Sequence, residues 1–172
     1  LGGLIQEDYN PDLRAPNKWK IYEKMRAHGQ VQAVELAVRL PIDATRWHVS
    51  PASDDPQDLE IAQIIEANLF DGMESTWSQV LDEFVLSRFF GVNLLQKVWI
   101  VRNGRTELYD LAPRHPRTVK KWKFDEHKRV TGIVQQVTDD QGFPHEIDID
   151  AKDLVRFTFR GEGGNPEGIG VS

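Results

Sequence analysis

The spacing of apolar residues changes about halfway along the chain. In the first half they recur every three or four positions, which is typical of helices with one buried face. In the second half they alternate with polar residues, which is typical of strands. The sequence therefore predicts helices first and strands afterwards. The predicted helices cover approximately residues 17–29, 30–41, 56–71 and 76–90.

Two of these helices have clear start signals. Asp55 can cap the third helix, and Pro56 suits its first position because a proline lacks only a hydrogen-bond donor that is unused there. Thr76 and Gln79 have the spacing of a capping box for the fourth helix.

Each of the last three helices has an apolar face. The second helix places Val31, Val34 and Val38 together, and Pro41 is expected to end it. The third helix carries Ile61, Ile64, Ile65, Asn68 and Leu69, with one polar interruption. The fourth helix has a wide stripe that we expect to be buried: Trp77, Val80, Leu81, Phe84, Val85 and Phe89.

The sharpest change of pattern lies between Arg88 and Gly104. The fourth helix ends at Gly91, and a long apolar strand that contains Trp99 follows at once. Asn103 and Gly104 form a strong two-residue hairpin signal at the end of this strand. We therefore predict that Gly91, Trp99, Asn103 and Gly104 form a structural junction between helix and hairpin.

The remaining patterns predict several further strands. They cover residues 105–111, 118–124, 130–138, 146–149 and 154–159, and a short strand is also predicted at 46–50. The fold class is α+β, with N-terminal helices followed by an antiparallel β-meander. We expect an irregular arm over residues 1–16, one α+β domain over 17–160 and a glycine-rich connector over 161–172.

Composition narrows the function classes. The 172 residues include no cysteine, which excludes disulfides and thiolate chemistry, and the net charge of −6 does not favour nucleic-acid binding overall. No apolar run approaches the roughly 20 residues that span a bilayer, so we expect no membrane partner. The Leu1 start and the glycine-rich end indicate a fragment of a longer polypeptide.

Few residues have the spacing that catalysis or metal binding requires. The five histidines include no pair at three or four positions, and the run 161–170 lacks the Gly-Lys-Ser/Thr of a phosphate loop. Glu146, Asp148 and Asp150 would share one face of a strand. They can be read as a metal-dependent hydrolase site or as a solvated strand face, and we favour the second. We therefore expect no catalytic residue, no metal and no cofactor.

Residues 114–129 form the one strongly basic segment. Seven lysines and arginines against two acids give a local charge of +5, whereas the rest of the chain carries −11. Aromatic and basic residues alternate in it, as in sites that bind nucleic acid by stacking. We favour a contact with another subunit or partner, with a nucleic-acid-binding module as the alternative. The candidate contact residues are Arg114, Arg117, Lys120, Lys121, Trp122 and Lys123.

The order of these features is similar to that of one protein family. The segment LRAPNKWKIYEKMRAHGQVQAVELAVRLPIDATRWHVSPAS, the helix DPQDLEIAQIIEANL and the junction TWSQVLDEFVLSRFFGVNLLQKVW resemble portal proteins of tailed double-stranded DNA bacteriophages. The segment ELYDLAPRHPRTVKKWKFDEHKRV and the PEGIG near the end fit the same pattern. One departure is that Gln96 and Lys97 stand where many relatives have an acidic residue.

This resemblance implies a structural role. A portal subunit would join a dodecameric ring at the capsid vertex, with a channel for packaging and ejecting double-stranded DNA. Its partners would be the major capsid protein, the terminase and head-tail adaptor proteins. The fragment would lie in the wing, before a stem helix. The protein would be found in the virion after assembly in the host cytoplasm.

Overall fold

Helices precede antiparallel strands, which confirms the predicted α+β class. The computed structural model describes residue 13 and residues 17–102 and 104–170. The helices are α1 (Asn17–Arg26), α2 (Gly29–Asp43), α3 (Pro56–Ala67) and α4 (Trp77–Phe90). The strands are β1 (Val92–Arg102), β2 (Arg105–Arg114), β3 (Val119–Phe124), β4 (Val130–Thr138), β5 (Pro144–Asp150) and β6 (Leu154–Thr158). The division into arm, domain and connector stays a prediction, and residues 1–12 and 14–16 lie outside the described residues.

The predicted start signals of α3 and α4 are confirmed. The carboxylate of Asp55 accepts a hydrogen bond of 2.8 Å from the backbone N–H of Gln57. At α4 the Gln79 N–H donates to the Thr76 hydroxyl at 3.3 Å, and the Thr76 N–H donates to the Gln79 side chain at 2.8 Å. These three bonds satisfy backbone donors that the helices leave free at their starts.

Two local predictions are wrong. Pro41 lies inside α2, which continues to Asp43, because a proline in the last turn costs only one backbone bond and the following turn still closes. Residues 46–50 form no strand, since no neighbouring strand pairs with them. Trp47 instead packs edge-on against Trp77 of α4, with ring centroids 5.8 Å apart.

The strands form two three-stranded sheets. The first has the order β2-β1-β6 and the second the order β3-β4-β5, and every pair is antiparallel. Only the second sheet is a simple meander of consecutive strands. β6 leaves that meander and returns to β1, which offers it an unpaired edge on the side away from β2.

The first half of β1 is covered on both faces. Leu95 packs with Val80 of α4, whereas Val92 and Leu94 pack with Ile133 of the second sheet. Each of the three β1 residues has no exposed surface. The chain therefore forms three layers, with α4 on one side of the first sheet and the second sheet on the other. A strand buried on both faces is expected to be mostly apolar. The buried polar residue in this segment, Asn93, donates hydrogen bonds to the Glu83 carbonyl and carboxylate of α4 at 2.8 and 2.7 Å.

α2 and α3 are less well covered by the rest of the fold than α4 is. α2 has no buried residue, and α3 has only Ala62. The predicted apolar stripe of α4 is only partly buried, because Phe84 keeps 40% of its surface exposed although its ring packs against Phe157 at 5.0 Å.

Candidate functional site: the helix-strand junction and the basic strand

Gly91 joins α4 to β1 in a conformation that favours glycine. Its φ is +84°, and a side-chain carbon there would lie 2.5 Å from the backbone oxygen of Glu167. The Gly91 carbonyl accepts a hydrogen bond of 2.7 Å from the Phe159 N–H, and the Ile169 N–H donates to the Phe159 carbonyl at 2.9 Å. The chain after β6 is therefore held directly against the junction.

Two more glycines make this approach possible. A side-chain carbon at Gly168 would overlap the carbonyl oxygen of Gly91, and one at Gly170 would overlap that of Phe89. Three backbone segments thus meet where a larger residue would keep them apart. The glycines near the C-terminal end of the sequence are part of the junction.

Glu167 connects this segment to two other elements. Its carboxylate forms an ion pair with Lys18 of α1 and accepts a hydrogen bond of 3.2 Å from the indole N–H of Trp122. The first helix, the second sheet and the segment after β6 therefore share one carboxylate.

His115 adds a titratable group beside the same junction. Its ring centroid lies 5.1 Å from that of Phe90 and 6.3 Å from that of Trp19, and its Nδ1 accepts a hydrogen bond from the Arg117 N–H at 3.1 Å. The residue keeps exposed surface, but the aromatic contacts bury part of the ring. Burial lowers the pKa of His115, and the nearby Arg117 charge acts in the same direction.

The other predicted junction residues lie at the far end of the hairpin. The pairing of Arg102 with Arg105 confirms a two-residue turn, and Gly104 has a φ of +75°. Asn103 lies outside the described residues. Trp99 follows a β-bulge and is 52% exposed, so it is separate from the packed end of β1.

The basic segment does not form one continuous positive surface. Arg114 donates two hydrogen bonds to the Gln96 side chain, at 2.9 and 2.6 Å. Arg117 pairs with Glu23 of α1 at 3.0 Å, and Lys123 pairs with Asp148 of β5 at 2.7 Å. Three of the six predicted contact residues are therefore engaged within the chain.

Trp122 is also engaged. Its ring packs among the residues between the two sheets, and the Arg156 guanidinium lies 6.0 Å from the ring centroid. The indole N–H is bound to Glu167. A base cannot stack on Trp122 without displacing these contacts.

Lys120 and Lys121 are the two predicted contact residues that remain available. The pairing shifts between Val119 and Lys121, so that β3 has one more residue than β4 at this point. Such a bulge turns consecutive side chains outward together. Both lysines are exposed, and neither forms an ion pair with another residue of the described part of the chain.

The three carboxylates of β5 share one exposed face, as the alternation predicts. Asp148 is bound to Lys123, and Asp150 lies 3.6 Å from Lys152. Lys123 reaches across β4 at Gly132, where a side-chain carbon would lie 2.5 Å from the Ile149 carbonyl oxygen. The described residues contain no group of three or more histidine, aspartate or glutamate side chains placed to hold a metal ion.

Sequence reasoning missed two features of this region. It did not predict that Gly168 and Gly170 pack against the backbone at Gly91 and Phe89. It also gave α3 an apolar face without asking what covers that face. Ile61, Ile64 and Ile65 are 43–46% exposed.

The model of a known protein family matches most of the chain. Among the described residues, no helix is long and apolar enough to cross a bilayer. The model of a family of structural phage proteins, described as the portal protein of Mu bacteriophage, matches residues 19–172. The match begins inside α1 and includes the other three helices, both sheets and the segment packed under Gly91, and the chain therefore belongs to this family of phage portal proteins.

Proposed function

We propose that this chain is a subunit of a dodecameric portal ring at one vertex of a phage capsid. The ring encloses the channel through which DNA is packaged and ejected. It binds the major capsid protein, the terminase and head-tail adaptor proteins. The observation that carries this proposal is the family match over residues 19–172.

The fold is suited to such a role. Leu94 and Leu95 are fully buried on opposite faces of β1, because α4 packs on one face of this strand and the second sheet packs on the other. The glycine contacts at Gly91 hold the segment after β6 against the same unit. We expect a subunit of this kind to be rigid. The exposed faces of α2 and α3 remain available for contacts with neighbouring subunits.

The proposed role is structural and not enzymatic. Two of the three β5 carboxylates, Asp148 and Asp150, pair with Lys123 and Lys152 within the chain. The protein would reside in the virion after assembly in the host cytoplasm.

Electron microscopy of the full-length protein with negative stain, together with mass determination in solution, tests the proposal. We expect rings with a central hole and about twelve-fold symmetry, because heterologous contacts that close give cyclic assemblies. A folded monomer that forms no ring under any assembly condition would contradict it.

Lys120 and Lys121 allow a test of the nucleic-acid alternative. If they contact phosphates, the variant with both changed to glutamate should lose DNA affinity and reduce the salt slope by about 2. The matched control changes Arg46 and Arg105, which are also exposed, to glutamate. DNA binding that neither variant changes, together with a ring that forms poorly only in the Lys120 and Lys121 variant, would favour a protein contact for the bulge.

A further inference from the structure

The face of α3 formed by three isoleucines lacks a partner within the described part of the chain. Ile61, Ile64 and Ile65 follow the i, i+3, i+4 spacing and are 46%, 43% and 43% exposed. The only buried residue of the helix is Ala62. Contiguous exposed apolar side chains on one helix face mark a binding surface more often than scattered ones do.

This isoleucine face lies in an acidic region. Residues 51–76 contain seven aspartates and glutamates and no lysine or arginine. A partner of α3 should therefore combine an apolar groove with positive charge.

A groove of this kind lies between α1, α2 and α4. Its volume is about 270 Å³. Its apolar lining comes from Met25, Val31, Val34, Val38, Val85 and Phe89. Val34 is 63% exposed, so the groove is open to solvent at this position.

The α1 side of the groove carries charge complementary to that of α3. α1 carries four lysines and arginines against one glutamate. Arg88 of α4 also lines the groove. Lys20 and Lys24 are exposed, and within the described residues neither has an acidic partner. The one acidic residue in the lining, Glu35, is bound to Arg26 at 3.1 Å.

We propose that α3 of one copy of this chain docks its isoleucine face into the α1–α2–α4 groove of a neighbouring copy. Helices that bind in grooves use anchors at this spacing. The two surfaces are different, so the contact is heterologous and can be repeated around a ring. The inference rests on the proposed ring and names the surfaces that would form it.

Disulfide trapping tests the pairing directly, because the chain has no cysteine of its own. One preparation carries Ile64→Cys, and a second, with a size-distinguishable tag, carries Val34→Cys. Mild oxidation of the mixture should give the mixed dimer as the main product, since docked helices bring the side chains within disulfide reach. The control mixture uses Leu59→Cys and Leu36→Cys. These exposed leucines lie about 200° around their helices from Ile61 and Val34. Equal yields from both mixtures would overturn the inference.

Charge insertion tests the same surfaces in the assembled state. Ile64→Asp and Val34→Asp should each weaken association at least about a hundredfold, because docking would bury an unpaired carboxylate. Leu59→Asp and Leu36→Asp should assemble like the unchanged chain in sedimentation velocity. A mixture of Ile64→Asp and Val34→Asp should stop at one-to-one pairs, since each retains one intact surface.

The outcomes separate this inference from the proposed function. If Ile64→Asp and Val34→Asp still form rings, the ring proposal stands and the docking inference is wrong. If the full-length unchanged protein forms no ring and stays monomeric at every concentration, both are wrong.

Discussion

β1 and α3 both carry clustered aliphatic side chains, but the fold treats them differently. Leu94 and Leu95 have no exposed surface, because α4 covers one face of β1 and the second sheet covers the other. Ile61 and Ile64 of α3 keep more than two fifths of their surface exposed. The difference separates residues that stabilise the subunit from residues that are available to join subunits.

The two regions are also anchored differently. At β1, Gly91 and Gly168 bring backbone segments into direct contact. α3 is fixed mainly at its C-terminal end, where the Asn68 side chain accepts a hydrogen bond of 2.9 Å from the Leu108 N–H. Asn68, the polar residue in the predicted apolar face, directly follows α3 and therefore joins the end of the helix to β2.

The largest effect is expected from changing the junction glycine. Gly91→Ala should lower the free energy of unfolding by about 4 kcal/mol, through a left-handed backbone and overlap with the Glu167 carbonyl. Gly142→Ala is the matched control, because its φ is +87° but nothing lies within 4 Å of the added carbon. It should cost only about 1–2 kcal/mol in urea unfolding. Equal losses would mean that the close backbone contact adds nothing.

A comparison of two leucines tests the contrast between β1 and α3 directly. Leu95→Ala should cost about 3 kcal/mol, because it removes a fully buried side chain and leaves a cavity. Leu59→Ala, at a position that is 41% exposed, should change the stability of the isolated subunit by less than about 0.5 kcal/mol. Thermal unfolding measured at low protein concentration checks both values. A large loss at Leu59 would show that α3 is packed within the subunit after all.

The sequence predicted the elements better than their arrangement. The capping signals at Asp55 and Thr76 depend on residues next to each other in the chain, so local chemistry was enough to place both helix starts. The hairpin after β1 was predicted for the same reason. The return of β6 to β1 depends on an edge far away in sequence, and no local pattern reports such an edge.

The candidate site was harder to predict because its contacts are also distant in sequence. The basic segment was recognised from its charge, but the partners of Arg117 and Lys123 come from α1 and β5. Glu167 lies 149 residues from Lys18. The sequence around Glu167 is rich in glycine and does not indicate that this carboxylate pairs with Lys18 and Trp122. Local charge thus indicated a candidate interface, but it did not indicate which basic side chains form ion pairs within the chain.

A smaller effect is expected from Glu167. Glu167→Gln retains an oxygen that can accept from Trp122 but removes the charge that pairs with Lys18. Because both side chains are partly buried, the change should cost about 1–2 kcal/mol in urea unfolding. Glu162→Gln is the control, since that carboxylate is 69% exposed and lies 3.6 Å from Arg160. If both variants matched the unchanged chain, the ion pair would contribute nothing to the junction.

The smallest effect is expected from pH and concerns His115. Its folded pKa lies below the usual value of 6.5, so the unfolded chain takes up the proton first as pH falls. The contribution of this group to stability is therefore complete above about pH 6.5 and is lost progressively below it. The loss should be small, because the residue keeps exposed surface. Protonation would also disturb Nδ1 as an acceptor for the Arg117 N–H.

Urea unfolding at pH 7.5 and pH 5.5 isolates this contribution when the unchanged chain is compared with His115→Gln. The variant should lose less stability between the two pH values, because the other titrating groups are common to both proteins. Leu59→Ala serves as a control at the other region, since a change on α3 away from its isoleucine face should leave the His115 contribution intact. The same pH dependence in His115→Gln and the unchanged chain would assign it to other groups. A weaker pH dependence in His115→Gln but not in Leu59→Ala would place a pH-sensitive contact at the packed junction.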